Sequence, residues 1–382
     1  MSAGITGGLS GGLPRDERSA RIALSRMGEP GSPGIHEAVT RWGAVETVER
    51  LVTGASGVKG AMPDRFSAER LADDLRHAEQ MQARVVVPSD PEWPRQVDDL
   101  GVPPLCLWVL GPVDLGEATE RSVAIVGARS ATAYGGQVAA DLAVGLCERG
   151  FTIVSGAAFG IDAAAHRGAL AVDGTTVAVL AGGIDRLYPA SHGPLLREIA
   201  RTGAVVTEQP PGVAPIGSRF LGRNRIIAAL TSGTVVVEAS LRSGSLNTAG
   251  HALAINRPVG AVPGPVTSVQ SAGCHVFVRE HGAILVTDAA EVADLVGQIG
   301  LDLAPVKRGS SRPIDDLDPA DRVLFEALPL RGYADLGSLA RASSLADRAV
   351  RAGPGRLELR GLAVSDGLDG WRKAPADTRR GR

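Results

Sequence analysis

Between residues 121 and 286 the chain repeats one unit: a short run rich in valine and isoleucine, a glycine-containing turn, then a helix-forming stretch. The runs fall at residues 123–126, 152–154, 177–180, 204–207, 234–237, 259–262 and 284–286. Strands this short and this continuously apolar must be buried on both faces, which is the condition of a parallel sheet covered by helices on either side. Helix-forming runs such as residues 138–146 and 163–171 supply that cover. The predicted fold class is therefore α/β, an extended Rossmann-like, doubly wound, mostly parallel sheet. Ligands of such sheets sit at the carboxyl ends of the strands, where the glycines of this chain collect.

The flanks read differently. Residues 1–14 are Gly/Ser-rich and predict disorder. Helices expected at 16–27, 35–52 and 67–82 make residues 15–83 a small helical N-terminal module, either helix-hairpin-helix or sterile-alpha-motif-like or a plain helical cap. An edge-like strand at 84–87 opens the 84–299 Rossmann-like domain, and residues 105–110 predict another strand. Residues 300–317 read as a linker. Residues 318–372 predict a small winged-helix-like domain, with helices at 321–328, 336–342 and 345–352 and a β-wing drawn from 356–360 and 362–364. Gly353-Pro354-Gly355 is expected to cut the region where a recognition helix would run. Residues 373–382 form a polar tail.

Composition narrows the function. With 21% charged residues and a formal net charge of −2, the chain is no polycation, so any nucleic-acid contact must come from a local patch. Lysine occurs only at Lys59, Lys307 and Lys373, which leaves basic chemistry to guanidinium groups, whose planar fork suits phosphate. Cys106, Cys147 and Cys274 are far apart and lack zinc or disulfide spacing. No apolar stretch reaches the roughly 18 residues a bilayer span needs, and no secretory leader pattern opens the chain, so a cytoplasmic location and no membrane partner are expected.

Five turns carry the chemistry. Gly127-Ala128-Arg129-Ser130 follows the first strand of the repeat, and Ser155-Gly156-Ala157-Ala158-Phe159-Gly160-Ile161-Asp162 follows the second. Ala181-Gly182-Gly183-Ile184-Asp185 precedes Tyr188-Pro189. The stretch from Ser218 to Ile226 places Arg219, Arg223 and Arg225 around Phe220 and Asn224 with no acid between them. The last, Glu238 to Thr248, opens through Arg242 into Ser243-Gly244-Ser245, whose hydroxyls, with that of Thr248, and whose main chain can nest an oxyanion. Glycine turns before helices bind phosphate, and several with arginine on one sheet point to a polyanion. The turn after the first strand is not GxGxxG and lacks the acidic residue a dinucleotide site requires, so no cofactor is expected. Asp162 reads as a helix N-cap and His166 as a satisfied histidine more readily than as a catalytic pair. Phe220 is equally suited to stacking on a base or to core packing.

The succession Ser155–His166, Val179–Pro189, Phe220 with Arg223-Asn224-Arg225-Ile226-Ile227, Ser243-Gly244-Ser245 and Ala261-Val262-Pro263-Gly264 resembles the DNA-processing protein A (DprA/Smf) family over residues 88–296. The resemblance implies a non-enzymatic protein that binds single-stranded DNA, protects incoming DNA and loads the recombinase RecA in natural transformation. It implies DNA contacts at Arg129, the Ser155–Gly160 loop, Phe220 and the Arg223-Asn224-Arg225 triplet. It further implies a homodimer through the Rossmann-like domain and, in many members, a C-terminal winged helix. Phe220-Leu221-Gly222 departs from the family's Phe-Pro ahead of Arg-Asn-Arg. From turns and resemblance together, the expected DNA and phosphate-binding set is Gly127, Arg129, Ser155, Gly156, Phe159, Gly160, Arg219, Phe220, Arg223, Asn224, Arg225, Ser243, Gly244 and Ser245, with no catalytic or metal-ligating residue.

The alternative class is an enzyme resembling the phosphoribohydrolases of nucleoside monophosphates, with Glu238 as carboxylate and Arg225 as its partner. Two expectations follow from the binding reading. Four arginines on successive phosphates give a slope of about −3 for log K against log salt. Replacing Arg223 and Arg225 together by alanine weakens oligonucleotide binding and leaves the fold intact.

Overall fold

The computed structural model describes residues 9–10, 12–55, 57–307 and 313–375. The chain divides into two compact units, Met1–Pro305 and Val306–Arg382. The expected N-terminal disorder lies outside the described residues for positions 1–8 and 11, while the two-residue strands β1 (Leu9–Ser10) and β2 (Leu13–Pro14) pair antiparallel.

Four helices follow: α1 (Glu17–Met27), α2 (Pro33–Trp42), α3 (Ala44–Val52) and α4 (Ala68–Gln80). The side chain of Asp16 caps α1 by accepting from the Ser19 N–H, and Ser67 does the same for α4 through Arg70. The single helix expected over 35–52 is two helices, because Gly43 sits at φ 80° between them, a conformation helix-forming residues avoid. Leu24, Met27, Ile35, Val48 and Leu51 close the small core that α1–α3 share.

The remaining elements of this unit are β3 (Ala83–Val86), β4 (Leu107–Leu110), α5 (Leu115–Glu120), β5 (Ser122–Val126), α6 (Ala133–Cys147), β6 (Thr152–Ser155), α7 (Ile161–Ala171), β7 (Thr176–Val179), α8 (Gly193–Thr202), β8 (Ala204–Thr207), α9 (Gly217–Ala229), β9 (Gly233–Val236), α10 (Gly244–Ala254), β10 (Val259–Ala261), α11 (Ala272–Glu280), β11 (Ile284–Leu285) and α12 (Ala289–Val296). One sheet holds nine strands in the order β11-β10-β9-β5-β6-β7-β8-β4-β3. All pairings from β11 through β8 are parallel; β4 and then β3 add antiparallel at one edge. The expected doubly wound, mostly parallel sheet is present. Along β5 the two faces alternate. Val123 and Ile125 pack with Leu142 of α6 and Ile161 of α7, whereas Ala124 and Val126 pack with Ile226 and Ile227 of α9 and Ala249 of α10.

The strand order decides where a ligand can sit. From β5 the chain winds outward through β6, β7 and β8, then returns to place β9 on the other side of β5. Loops leaving β5 and β9 diverge to opposite faces, so a crevice opens between their carboxyl ends.

The second unit contains α13 (Pro319–Ala327), β12 (Ala334–Asp335), α14 (Leu336–Ser343), α15 (Asp347–Leu359), β13 (Ala363–Ser365) and β14 (Gly370–Lys373), with the strands ordered β12-β14-β13 and antiparallel. Two sequence expectations need correction here. Gly353-Pro354-Gly355 lies inside α15 and does not end it, and residues 356–359 belong to that helix rather than to a wing. Packing overrides local propensity: Leu324 of α13 lies 2.3 Å from where a Cβ on Gly353 would stand, and Arg356 donates to Asp321 at 2.9 Å. Of the expected linker and tail, residues 308–312 and 376–382 lie outside the described residues.

Candidate nucleic-acid interface

An open cleft of about 380 Å³ occupies the crevice between β5 and β9. One wall is the Gly127–Ser130 loop. Its shape is set from below: the Ala128 N–H donates to the Glu238 carbonyl at 2.7 Å, and the Ile161 N–H of α7 donates back to the Ala128 carbonyl at 3.2 Å. Gly160, at φ 77°, passes so close beneath that a Cβ there would stand 2.2 Å from the Ala128 oxygen. This clamp pushes Arg129 into solvent. Its guanidinium lies 5.2 Å from the Phe220 ring centroid, and Phe220 in turn meets Tyr188 at 5.5 Å. Among the described residues Arg129 has no carboxylate partner.

The facing wall is the amino end of α10. The Ser243 side chain caps it by accepting from the Ser245 N–H, and the two serine hydroxyls lie 2.7 Å apart. The positive end of the α10 dipole and two hydroxyls suit this wall to an anion. Thr248 and Gln270 complete it. Gln270 had no sequence signal: it arrives from the connection after β10, held where the Ala239 N–H donates to its carbonyl at 2.7 Å, and its side chain donates to Ser130 at 3.1 Å.

The arginine stretch is not a turn. It is the body of α9, and its side chains separate around the helix. Arg223 reaches the cleft floor from inside the protein, only 8% exposed. It donates to the Gly156 carbonyl at 2.9 Å and to the Val179 carbonyl. Burial pushes its pKa down to about 10, with Asp162 opposing the shift, so it stays cationic at neutral pH. Asn224 also lines the cleft and braces α10 through the Gly244 carbonyl and Asn247, both at 3.2 Å. Arg219 and Arg225 point elsewhere. Arg219 pairs with Glu29 at 2.8 Å, and Arg225 pairs with Glu208 at 2.6 Å. The acids missing from the stretch itself come from α1's flank and the end of β8.

Of the expected set, the cleft brings together Gly127, Arg129, Phe220, Arg223, Asn224, Ser243, Gly244 and Ser245. Ser155 is buried, its hydroxyl donating to Ile125 at 2.6 Å. Gly156 lies under Arg223, whose Nη1 would be 2.2 Å from a Cβ. Phe159 is exposed but stacks edge-on against His192 at 4.6 Å.

Two carboxylate readings change, while His166 is a buried, hydrogen-bonded histidine. Asp162 is not the cap of α7, which is Gly160; it accepts from the Gly156 and Ala158 N–H groups at 3.1 and 3.3 Å and so pins the loop before α7. His166 meets Thr176 at 2.7 Å, and burial pushes its pKa down to about 3, leaving it neutral. Glu238, 2% exposed, accepts from the Thr132 N–H and hydroxyl at 2.9 and 2.6 Å and does not pair with Arg225. It buttresses the Arg129 loop.

Residues 84–297 match the model of the DNA recombination-mediator protein A family. The chain belongs to this family. Over 353 residues it is 47% identical to the putative DNA processing protein DprA of Mycobacterium tuberculosis, covering 89% of this chain and 90% of that protein. The X-ray structure of Streptococcus pneumoniae DprA superposes with a TM-score of 0.60 at 30% identity, covering 73% of this chain and 96% of that one. The Helicobacter pylori DNA processing protein A structure, which addresses that protein's single-stranded DNA binding mode, gives 0.51 at 29% identity over 56% of this chain and 95% of its own. No helix among the described residues is long and apolar enough to cross a membrane.

Proposed function

We propose that this chain binds single-stranded DNA in the cleft between β5 and β9 and acts on it without turnover. The observation that carries the reading is Arg129: a solvent-facing guanidinium without a carboxylate partner among the described residues, set 5.2 Å over an aromatic ring at the topological switch point. Arg129 and the deeper Arg223 supply charge for phosphate, the α10 terminus supplies its dipole and two serine hydroxyls, and Phe220 offers a face on which an unstacked base can lie. A duplex keeps its bases stacked and has nothing to give Phe220. Membership of a recombination-mediator family, and the single-stranded DNA bound by the Helicobacter pylori relative, support the same reading.

Within that reading the protein shields incoming single strands and hands them to the RecA recombinase during natural transformation, in the cytoplasm, as a homodimer through the Rossmann-like domain. The helix and strand order of the second unit, α13-β12-α14-α15-β13-β14, supports a winged-helix assignment. The rival phosphoribohydrolase reading loses its carboxylate, since Glu238 is consumed by Thr132 and lies outside the residues lining the cleft. Fluorescence anisotropy with single-stranded, duplex and mononucleotide ligands tests the proposal, together with incubation on adenosine monophosphate. Preference for the single strand and no free adenine are expected; adenine release, or equal affinity for duplex, would overturn it.

A further inference from the structure

We infer a second anion site, separate from the cleft, in the seam between the N-terminal helices and the connection from β8 to α9. A cavity of about 390 Å³ there is lined by Arg26, Arg65, Arg70, Gln209 and Arg219. Its charges do not cancel. Arg65 and Arg219 share the single carboxylate of Glu29, at 3.0 and 2.8 Å. Arg26 is matched by Asp74, with Nε 2.6 Å from Oδ2. Arg70 meets only the Arg65 carbonyl, at 3.3 Å, and has no carboxylate partner among the described residues. Four guanidiniums thus face two carboxylates, and a positive excess remains even with both acids ionised, the form that the hydrogen bond from Arg219 favours for Glu29.

Gln209 supplies an independent sign. It is 5% exposed, lines the cavity, and its Nε2 is buried without an acceptor among the described residues. An unpaired amide N–H in such a place is costly unless something accepts from it. With the Gln209 amide turned toward the cavity, an oxyanion there would accept from it while meeting the unneutralised guanidiniums. Several planar donor forks around one cavity suit a ligand with many oxygens on one centre, which is a phosphate group and not a single carboxylate.

Arg219 and Phe220 are neighbours on the first turns of α9, yet Arg219 lines this cavity and Phe220 lines the cleft. The phosphate can therefore come from the same strand passing around α9 or from a free phosphate ligand. The inference does not require the cleft to hold DNA. The test titrates the full chain with inorganic pyrophosphate, thymidine monophosphate, a short thymidine oligonucleotide and a long one. Wild type is compared with Arg65→Ala/Arg70→Ala and with Arg129→Ala. The double variant is expected to weaken at least one probe about tenfold, with an unchanged thermal midpoint. Loss for pyrophosphate and the mononucleotide, with Arg129→Ala retaining both, assigns the site to a free phosphate ligand. Loss for the long strand alone assigns it to the continuing strand. If the double variant melts early, the exposed single change Arg70→Glu replaces it. Unchanged affinity for all four probes in the variant that folds overturns the inference, and it does so whether or not Arg129→Ala affects the short oligonucleotide.

Discussion

Arg129 and Arg223 show how one residue type takes two roles from its surroundings. Arg129 is held in water by a loop whose carbonyl and amide are both tied down, so its charge is available at little desolvation cost. Arg223 is buried on carbonyl oxygens and lends its charge through the cleft floor. The neighbouring His166 carries a pH signature. Its unfolded pKa near 6.5 falls to about 3 in the fold because burial disfavours the imidazolium. Between those values the unfolded chain binds a proton that the native chain refuses, so stability rises with pH there and is lost as pH falls below 6.5. Urea unfolding between pH 7 and 5.5 should show His166 contributing a loss of up to about 1.4 kcal/mol per pH unit below 6.5, a slope that His166→Gln removes. An identical pH dependence in the variant would count against the buried neutral imidazole.

At the scale of elements, α9 is the piece the sequence hid. Arg219, Arg223 and Arg225 with no intervening acid read as a basic turn because their partners are remote in the chain, Glu29 lying 190 residues away and Glu208 17 away. Only the fold shows that two of the three are neutralised. The strands of the nine-stranded sheet, by contrast, were legible to within a residue or two, because continuous Val/Ile runs have no alternative use in a polar turn-rich chain. The glycines were read as phosphate turns, but Gly156 and Gly160 serve close packing, one beneath Arg223 and one beneath the Ala128 carbonyl. Gly156→Ala should therefore destabilise the protein by about 1 to 3 kcal/mol through overpacking. The paired replacement of Arg223 and Arg225, which the sequence suggested would leave the fold untouched, should destabilise it. Arg225→Ala strands Glu208, whose side chain is 10% exposed, and should cost about 3 to 5 kcal/mol in chemical denaturation. Full stability in either variant would contradict this account of α9.

Across the whole molecule, the doubly wound order places the β5 and β9 loops on either side of one crevice, and everything proposed for DNA depends on that crevice presenting two guanidiniums without an ion pair among the described residues rather than four. The difference is measurable. Two neutralised phosphates on a single strand give a slope of about −1.4 for log K against log salt, against about −3 for four. The most direct measurement is that slope, taken by anisotropy with an oligonucleotide short enough to fill the cleft alone, for wild type and Arg129→Ala. The expected result is a slope of about −1.4 that falls to about −0.7 in the variant, with affinity about tenfold weaker. A slope near zero, or one that Arg129→Ala leaves unchanged, would contradict the assignment of the cleft.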